Sequence, residues 1–159
     1  MQKFFAWALV IIVAVGLLGS STFISLFTNK AELTTRELAF TCTTDMATKY
    51  HIHPILSLVA EGKTIEVPSN IGVSLTCMHP LHTHDTTGEI HVESPEPRDF
   101  TLGDFFAVWE RSLSKDRFLD YVATSTHEIV MTVDGKRNEE FGSLVLKDKQ
   151  QIILEYKKK

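Results

Sequence analysis

The chain has 159 residues and a formal net charge of −4 at pH 7, and this length suits one domain with its own core. All of its acidic residues lie at or beyond Glu32, so the main part of the chain is mildly acidic. That balance excludes nucleic acid as a partner, because phosphate binding needs a basic face, and no feature of the sequence indicates a particular protein partner.

An uncharged segment near the N-terminus, Phe4 to Phe27, is long enough to cross a bilayer as a helix, for which about 20 residues suffice. Lys3 precedes it and favours a cytoplasmic N-terminus. We therefore predict that residues 1–27 form a membrane anchor, with a single pass and the C-terminal domain outside the cytoplasm. The alternative is a signal peptide that is cleaved near the small residues 19–21, which would place the domain in the same compartment as a secreted protein.

Residues 28–48 are polar and rich in threonine, which is typical of a stalk, and we predict an exported, histidine-rich domain over residues 49–159. Apolar side chains alternate from Tyr50 to Ala60, and Glu61-Gly62 forms a predicted turn into a second strand, so this stretch indicates a β-hairpin. Alternation over Glu89 to Glu93 predicts a further strand.

Helical spacing then replaces the alternation, from Leu102 to Leu113, and Thr101 is the predicted N-cap. A second, short helical piece is predicted over residues 115–122. The remaining segments, residues 128–133, 144–146 and 151–156, are predicted as strands, and Asp134-Gly135 is predicted as a tight turn after the first of them. This order indicates an α+β domain in which a small mixed or antiparallel sheet packs against one main helix, in a β-grasp-like arrangement.

Six of the seven histidines lie between positions 51 and 91, and two of the pairs have the spacing His-x-His. Residues at i and i+2 of a strand point to the same side, so the imidazoles of each pair face one point. Clustered neutral imidazoles bind transition metals, and copper or zinc fits best. The predicted metal ligands are His51, His53, His82, His84 and His91. The competing interpretation is a polar or pH-responsive surface patch.

Several neighbours could serve this site in a supporting role. Asp85 and Glu89 could hold the second ring nitrogen of a ligand, and His79 and Cys77 are alternative ligands. His127 stands apart from the cluster, and a core or surface role is its default.

Cys42 and Cys77 are the only cysteines. In an exported domain we expect them to form a disulfide. The competing role for Cys77 is that of a thiolate metal ligand beside His79 and His82.

Three stretches resemble exported or membrane-anchored proteins of uncharacterised bacterial and archaeal families: HIHPILSLVAEGKTIEVPSNIGV from His51, LHTHDTTGEIHVESP from Leu81 and FTLGDFFAVWE from Phe100. The shared pattern joins an HxH pair to LHTHDxxGxIHVES. The resemblance implies an exported protein and no particular activity.

Three functions fit the sequence. The first is a membrane-anchored protein that binds copper or zinc outside the cytoplasm. The second is a metal-dependent enzyme, redox or hydrolytic, with Asp85, Glu89 or Glu93 as its general base. The third is a structural or partner-binding module. No nucleophile elbow, P-loop, dinucleotide-binding glycine pattern or HExxH motif is present, so the corresponding enzyme classes are unsupported.

Overall fold

The structure is a computed structural model that describes residues 32–44 and 48–159. The predicted anchor, residues 1–27, lies outside these ranges. Within the part of the chain that is described, no helix is both long enough and apolar enough to cross a membrane.

One compact unit of the structure spans Leu33–Lys159, and the predicted division into a stalk over residues 28–48 and a domain over residues 49–159 stays a prediction. Part of the predicted stalk folds as helix α1, Thr35–Ala39, whose N-cap Thr34 forms a capping box with Glu37. Ala39 is fully buried in the core. The sequence does not reveal this packing, because one buried alanine among polar residues produces no apolar stripe.

Eleven strands follow in the described part of the chain, most of them short. They are β1 Tyr50–Ile52, β2 Ile55–Ala60, β3 Lys63–Ile65, β4 Leu81–His82, β5 His91–Ser94, β6 Leu113–Ser114, β7 Arg117–Phe118, β8 Tyr121–Val122, β9 His127–Val133, β10 Lys136–Asn138 and β11 Gln151–Lys158.

Five of these strands form the largest sheet, in the order β10-β9-β11-β2-β3. β11 runs parallel to β2 and antiparallel to β9. The predicted hairpin of β2 and β3 is confirmed, and its turn residues Glu61 and Gly62 both have positive φ. The predicted hairpin turn at Asp134-Gly135 likewise joins β9 to β10.

The predicted first strand is divided between two sheets. Pro54 separates β1 from β2, and proline cannot donate a hydrogen bond to a neighbouring strand. β1 belongs to a three-stranded antiparallel sheet in the order β1-β5-β4, whereas β2 belongs to the five-stranded sheet. The smaller sheet carries the clustered histidines.

The main helix, α2, spans Leu102–Val108 and begins at Thr101, whose side chain accepts from the backbone N–H of Asp104. It ends before the predicted Leu113, and Glu110 follows in a left-handed conformation, with φ of 58°. The prediction of a helical piece over residues 115–122 is wrong, because β6, β7 and β8 form a small antiparallel sheet there. Phe118 anchors that sheet in the core, a tertiary contact that overrides local spacing.

One cluster of buried side chains joins residues from α1, α2 and all three sheets. Its largest fully buried members are Phe100, Phe105, Phe106 and Phe118. The α+β prediction is confirmed, and the finer β-grasp assignment stays a prediction.

Gly88, in the loop between β4 and β5, offers a test of how tightly that loop approaches β2. Its φ is +84°, and a Cβ added there would collide with the carbonyl oxygen of Leu56 in β2. We expect Gly88→Ala to lower the free energy of unfolding by about 3 kcal/mol, since backbone strain and a steric clash add. Urea denaturation would measure this loss.

Gly62→Ala is the matched control for that substitution. Gly62 has a similar φ of +76°, but nothing lies within 4 Å of its added Cβ. Only the cost of the left-handed backbone remains, about 1 kcal/mol. Equal losses in the two variants would contradict the close approach of Gly88 to β2.

Candidate metal centre

The histidines lie on one face of the β1-β5-β4 sheet because of its register. Ile52 of β1 and Leu81 of β4 both pair with Val92 of the central strand β5, and all three side chains are buried in the core. Side chains alternate along strands, so the residues on either side of these three point to the opposite face. That face receives His82 opposite His91, and His51 opposite Glu93.

A first group of three imidazoles, the β1 triad, consists of His51, His53 and His91. One ring nitrogen from each lies within 4.8 Å of the other two. His51 Nε2 is 3.4 Å from His91 Nδ1 and 3.0 Å from the carboxylate oxygen Oε1 of Glu93. The ring centroid of His53 lies 4.3 Å from that of His51 and 4.8 Å from that of His91. This triad could hold a metal ion, with Glu93 beside it.

A second group, the β4 triad, consists of His82, His84 and the same His91, again with one nitrogen from each within 4.8 Å of the others. His82 Nε2 lies 3.2 Å from His84 Nε2. The ring of His91 stacks on His82 at 5.3 Å and meets His84 edge-on at 4.6 Å.

The spacing of the nitrogens suits tetrahedral coordination. With metal–nitrogen bonds of about 2.0–2.1 Å, two ligand atoms of a tetrahedron are about 3.3–3.4 Å apart. His51 Nε2 and His91 Nδ1 of the β1 triad are 3.4 Å apart, and His82 Nε2 and His84 Nε2 of the β4 triad are 3.2 Å apart. Both pairs therefore match the edge of a tetrahedron around a zinc or copper ion.

The surroundings of His82 favour the neutral form of its ring, which is the form that binds metal. Its side chain is fully buried, and burial lowers its pKa from 6.5 to about 4, against a smaller opposing effect of its backbone hydrogen bond. Its Nδ1–H donates to the carbonyl oxygen of His79 at 2.9 Å, since a carbonyl can only accept. The neutral ring then has no proton on Nε2, and that lone pair faces His84. A backbone carbonyl on the second ring nitrogen is the usual way to orient a metal-binding histidine.

His91 is held neutral for related reasons. Partial burial lowers its pKa, and the nearby rings of His84 and His53 lower it further. Its Nε2 lies 3.4 Å from Glu89 Oε1, whereas Nδ1 lies 4.0 Å from Glu93 Oε1. Glu89 thus lies where the sequence predicted a supporting carboxylate.

The other predicted supporting residues lie differently. Asp85 accepts from the backbone N–H of Thr87 at 2.9 Å, and its bonds to Thr87 hold its pKa below the usual range. His79 contributes its carbonyl to His82, and among the described residues its own Nδ1 has no hydrogen-bond partner. The ligand roles of these side chains stay predictions.

Asp148 is a neighbour of His53 that the sequence did not predict. Its Oδ1 accepts from the backbone N–H of His53 at 3.0 Å and lies 3.8 Å from the ring Nδ1 of the same histidine. Asp148 lies in the turn before β11, 95 residues further along the chain. No local pattern could indicate this contact, which depends on the parallel pairing of β11 with β2.

The predicted disulfide between Cys42 and Cys77 is confirmed, with Cα atoms 5.3 Å apart. The sulfur of Cys77 is therefore not a thiolate ligand in this structure. Beside the disulfide, Thr43 and Met78 exchange two backbone hydrogen bonds, of 3.1 and 3.0 Å, one residue from His79.

His127 lies apart from the triads, against Tyr156 and Glu61.

Comparison of the chain with protein-family models, with curated proteins and with solved structures gave no match.

Proposed function

We propose that this protein binds a transition metal, copper or zinc, outside the cytoplasm, through the histidines of the β1 and β4 triads. One observation carries the proposal: five imidazoles from three separate strand regions converge on one sheet face, in two groups that could each hold an ion. A solvated polar face does not need His82 fully buried and neutral, with its lone pair directed at a second imidazole.

We also propose that residues 1–27 tether the domain to the membrane from outside the cytoplasm. The Cys42–Cys77 disulfide supports the compartment, because such bonds persist where the surroundings are oxidising. Protease treatment of intact cells, followed by membrane fractionation, would test this. A chain that stays protected from protease added outside, or that is recovered in the cytosolic fraction, would contradict it.

The five-stranded sheet supports a β-grasp-like assignment, which we propose as well. Two of its three interior strands, β2 and β11, run parallel, and each has an antiparallel neighbour on its other side.

Metal content of the full-length chain tests the metal proposal. The protein is purified in mild detergent without a histidine tag, loaded with Zn(II) or Cu(II) in separate samples, passed over a desalting column and analysed by mass spectrometry. We expect the wild type to retain metal and the double variant His53→Ala/His84→Ala to bind it at least about 100-fold more weakly, because each triad loses an imidazole.

His127→Ala is the control, since it removes a histidine that lies outside both triads and should retain wild-type metal content. Circular dichroism would verify that the variants are folded. A wild-type chain that retains no more metal than the double variant would contradict the proposed metal binding.

A metal-dependent hydrolase is the second candidate, and Glu89 favours it. Three protein ligands leave a fourth tetrahedral position for water, as in catalytic zinc sites. Glu89 is 42% exposed and lies 3.4 Å from His91 Nε2, where it could accept a proton from such a water. Hydrolysis of an activated ester by the zinc-loaded protein should then be lost in Glu89→Gln while metal stays bound. Equal rates in wild type and variant would exclude this role of Glu89.

A further inference from the structure

His91 occupies a special place, because it belongs to both triads. It lies on β5, the central strand, between β1 on one side and β4 on the other. Its ring centroid lies 4.8 Å from that of His53 and 4.6 Å from that of His84. Among the described residues, no ring contact joins the HxH pair of β1 directly to the HxH pair of β4, so His91 is their only link.

One ion cannot take all five imidazoles in this arrangement. Among the described residues, the ligand nitrogens lie within 4.8 Å of one another only inside each triad, and no such group joins the HxH pair of β1 to the HxH pair of β4. A tetrahedral ion also takes only four ligands, and its ligand atoms are about 3.3–3.4 Å apart. The pair His51–His91 and the pair His82–His84 each meet that distance, at 3.4 and 3.2 Å. Each triad therefore suits an ion of its own.

The two ring nitrogens of His91 face different neighbours. Nδ1 is directed towards the β1 triad, 3.4 Å from His51 Nε2. Nε2 lies 3.4 Å from Glu89 Oε1 instead. An imidazole can bind one ion through each nitrogen once its remaining N–H proton has passed to the solvent.

We propose that the protein binds two transition-metal ions and that His91 bridges them. One ion is held by His51, His53 and Nδ1 of His91, and the other by His82, His84 and Nε2 of His91. This inference rests on the proposed metal-binding function and specifies its stoichiometry and its shared ligand.

The carboxylates around His91 fit two cations better than one. Glu93 Oε1 lies 3.0 Å from His51 Nε2, so it can serve as a fourth ligand of the first ion. Glu89 lies beside the other nitrogen of His91 and can do the same for the second ion. Each half of the centre then has three nitrogens and one carboxylate, and the two carboxylates and the bridging anion offset most of the added positive charge.

The two halves differ in how their ligands are held, although each contains one exposed histidine, His51 or His84. The His51 side chain is 41% exposed, whereas His82 is fully buried and fixed by the His79 carbonyl. The β4 half is therefore the more preorganised of the two, and we expect it to fill first.

Stoichiometry of the full-length chain tests the bridge separately from metal binding itself. The metal-free protein in detergent is titrated with Zn(II), and bound metal per chain is measured by mass spectrometry after desalting. We expect about two ions for the wild type and for His127→Ala, about one for His53→Ala and for His84→Ala, and essentially none for His91→Ala, which breaks both triads. Retention of about one ion in His91→Ala would overturn the shared-ligand assignment.

Paramagnetic resonance of the Cu(II)-loaded protein tests whether His91 connects the ions. Two Cu(II) ions joined through one imidazole couple antiferromagnetically, so the integrated signal at low temperature should fall well below that of the copper present. The full signal should return in His53→Ala and His84→Ala, which keep a single ion. Two bound ions with an undiminished signal in the wild type would contradict the bridging role of His91. One bound ion would contradict the two-ion centre and leave the metal-binding function intact. The absence of bound metal would contradict both the two-ion centre and the metal-binding function.

Discussion

Replacing both cysteines with serine is expected to lower the free energy of unfolding by about 4 kcal/mol, the entropic effect of opening a loop of this size. The disulfide joins positions 35 residues apart, Cys42 and Cys77, and connects the segment after α1 to the loop before β4. Without it, the short Thr43–Met78 bridge, the packing of α1 and the Arg36–Asp104 ion pair still hold this segment to the domain.

The same substitution is expected to loosen the β4 triad. The His79 carbonyl that orients His82 lies two residues from Cys77, and the His79 N–H is held by Gly72 O at 2.8 Å. A less ordered loop positions that carbonyl less well, so we expect metal affinity to fall by about 10-fold, the effect of losing an orienting partner.

Urea denaturation of the segment from Leu33 to Lys159 would measure the loss of stability, with and without a thiol reductant. Reduced wild-type protein should match the double serine variant. Leu75→Ser is the control, because Leu75 is a fully exposed side chain in the same loop and its replacement should change stability by no more than about 0.5 kcal/mol. A double variant as stable as the oxidised wild type would contradict the structural role of the disulfide.

Acidification of the metal-free protein is expected to destabilise it by about 3 kcal/mol between pH 6.5 and pH 4. Burial lowers the pKa of His82 from 6.5 to about 4. In that interval the unfolded chain takes up a proton at this position and the folded chain does not, so stability rises with pH across it. The contribution of neutral His82 to the free energy of unfolding is fully present above pH 6.5 and is lost as the pH falls through the pKa of His82 in the folded protein. His91, whose pKa is also lowered, acts in the same direction.

His82→Asn tests this pH dependence, because its amide N–H can still donate to the His79 carbonyl but does not titrate. Unfolding midpoints of the metal-free wild type and variant would be compared at pH 7 and at pH 4.5. We expect the variant to lose less stability on acidification than the wild type, with the remainder due in part to His91. An equal loss in both proteins would show that the burial of His82 is not its cause.

Bound metal should raise the free energy of unfolding near neutral pH, because it binds only the deprotonated imidazoles of the folded protein. The protection is expected to fade as the pH falls, since protons and metal compete for the same nitrogens. Thermal unfolding with and without Zn(II) across this range would measure it.

The histidine face could be predicted from the sequence because a strand has a period of two residues. The His-x-His pairs, and Glu89, His91 and Glu93 around Ile90 and Val92, specify which side chains share a side. The capping box at Thr101 and the hairpin turns at Glu61-Gly62 and Asp134-Gly135 were predictable for the same reason, since their signals lie within a few residues.

The failures concern contacts between distant segments. The helical prediction over residues 115–122 failed because Phe118 enters the core and short strands pair around it. The sequence also does not indicate the packing of α1, which lies within the predicted stalk of residues 28–48 and depends on Ala39 and on an ion pair of 2.8 Å between Arg36 and Asp104. Neither contact leaves a periodic signal in the sequence.

The sequence by itself determined which residues could bind metal, which residues share a side of a strand and which cysteines pair. Only the tertiary structure decided that β5 lies between β1 and β4, and therefore that His91 is shared by two triads. The tertiary structure likewise brought Asp148 to His53 and buried His82 so that its ring is neutral. Side-chain direction follows from local backbone geometry, whereas strand order and burial depend on how the whole chain covers its apolar surface.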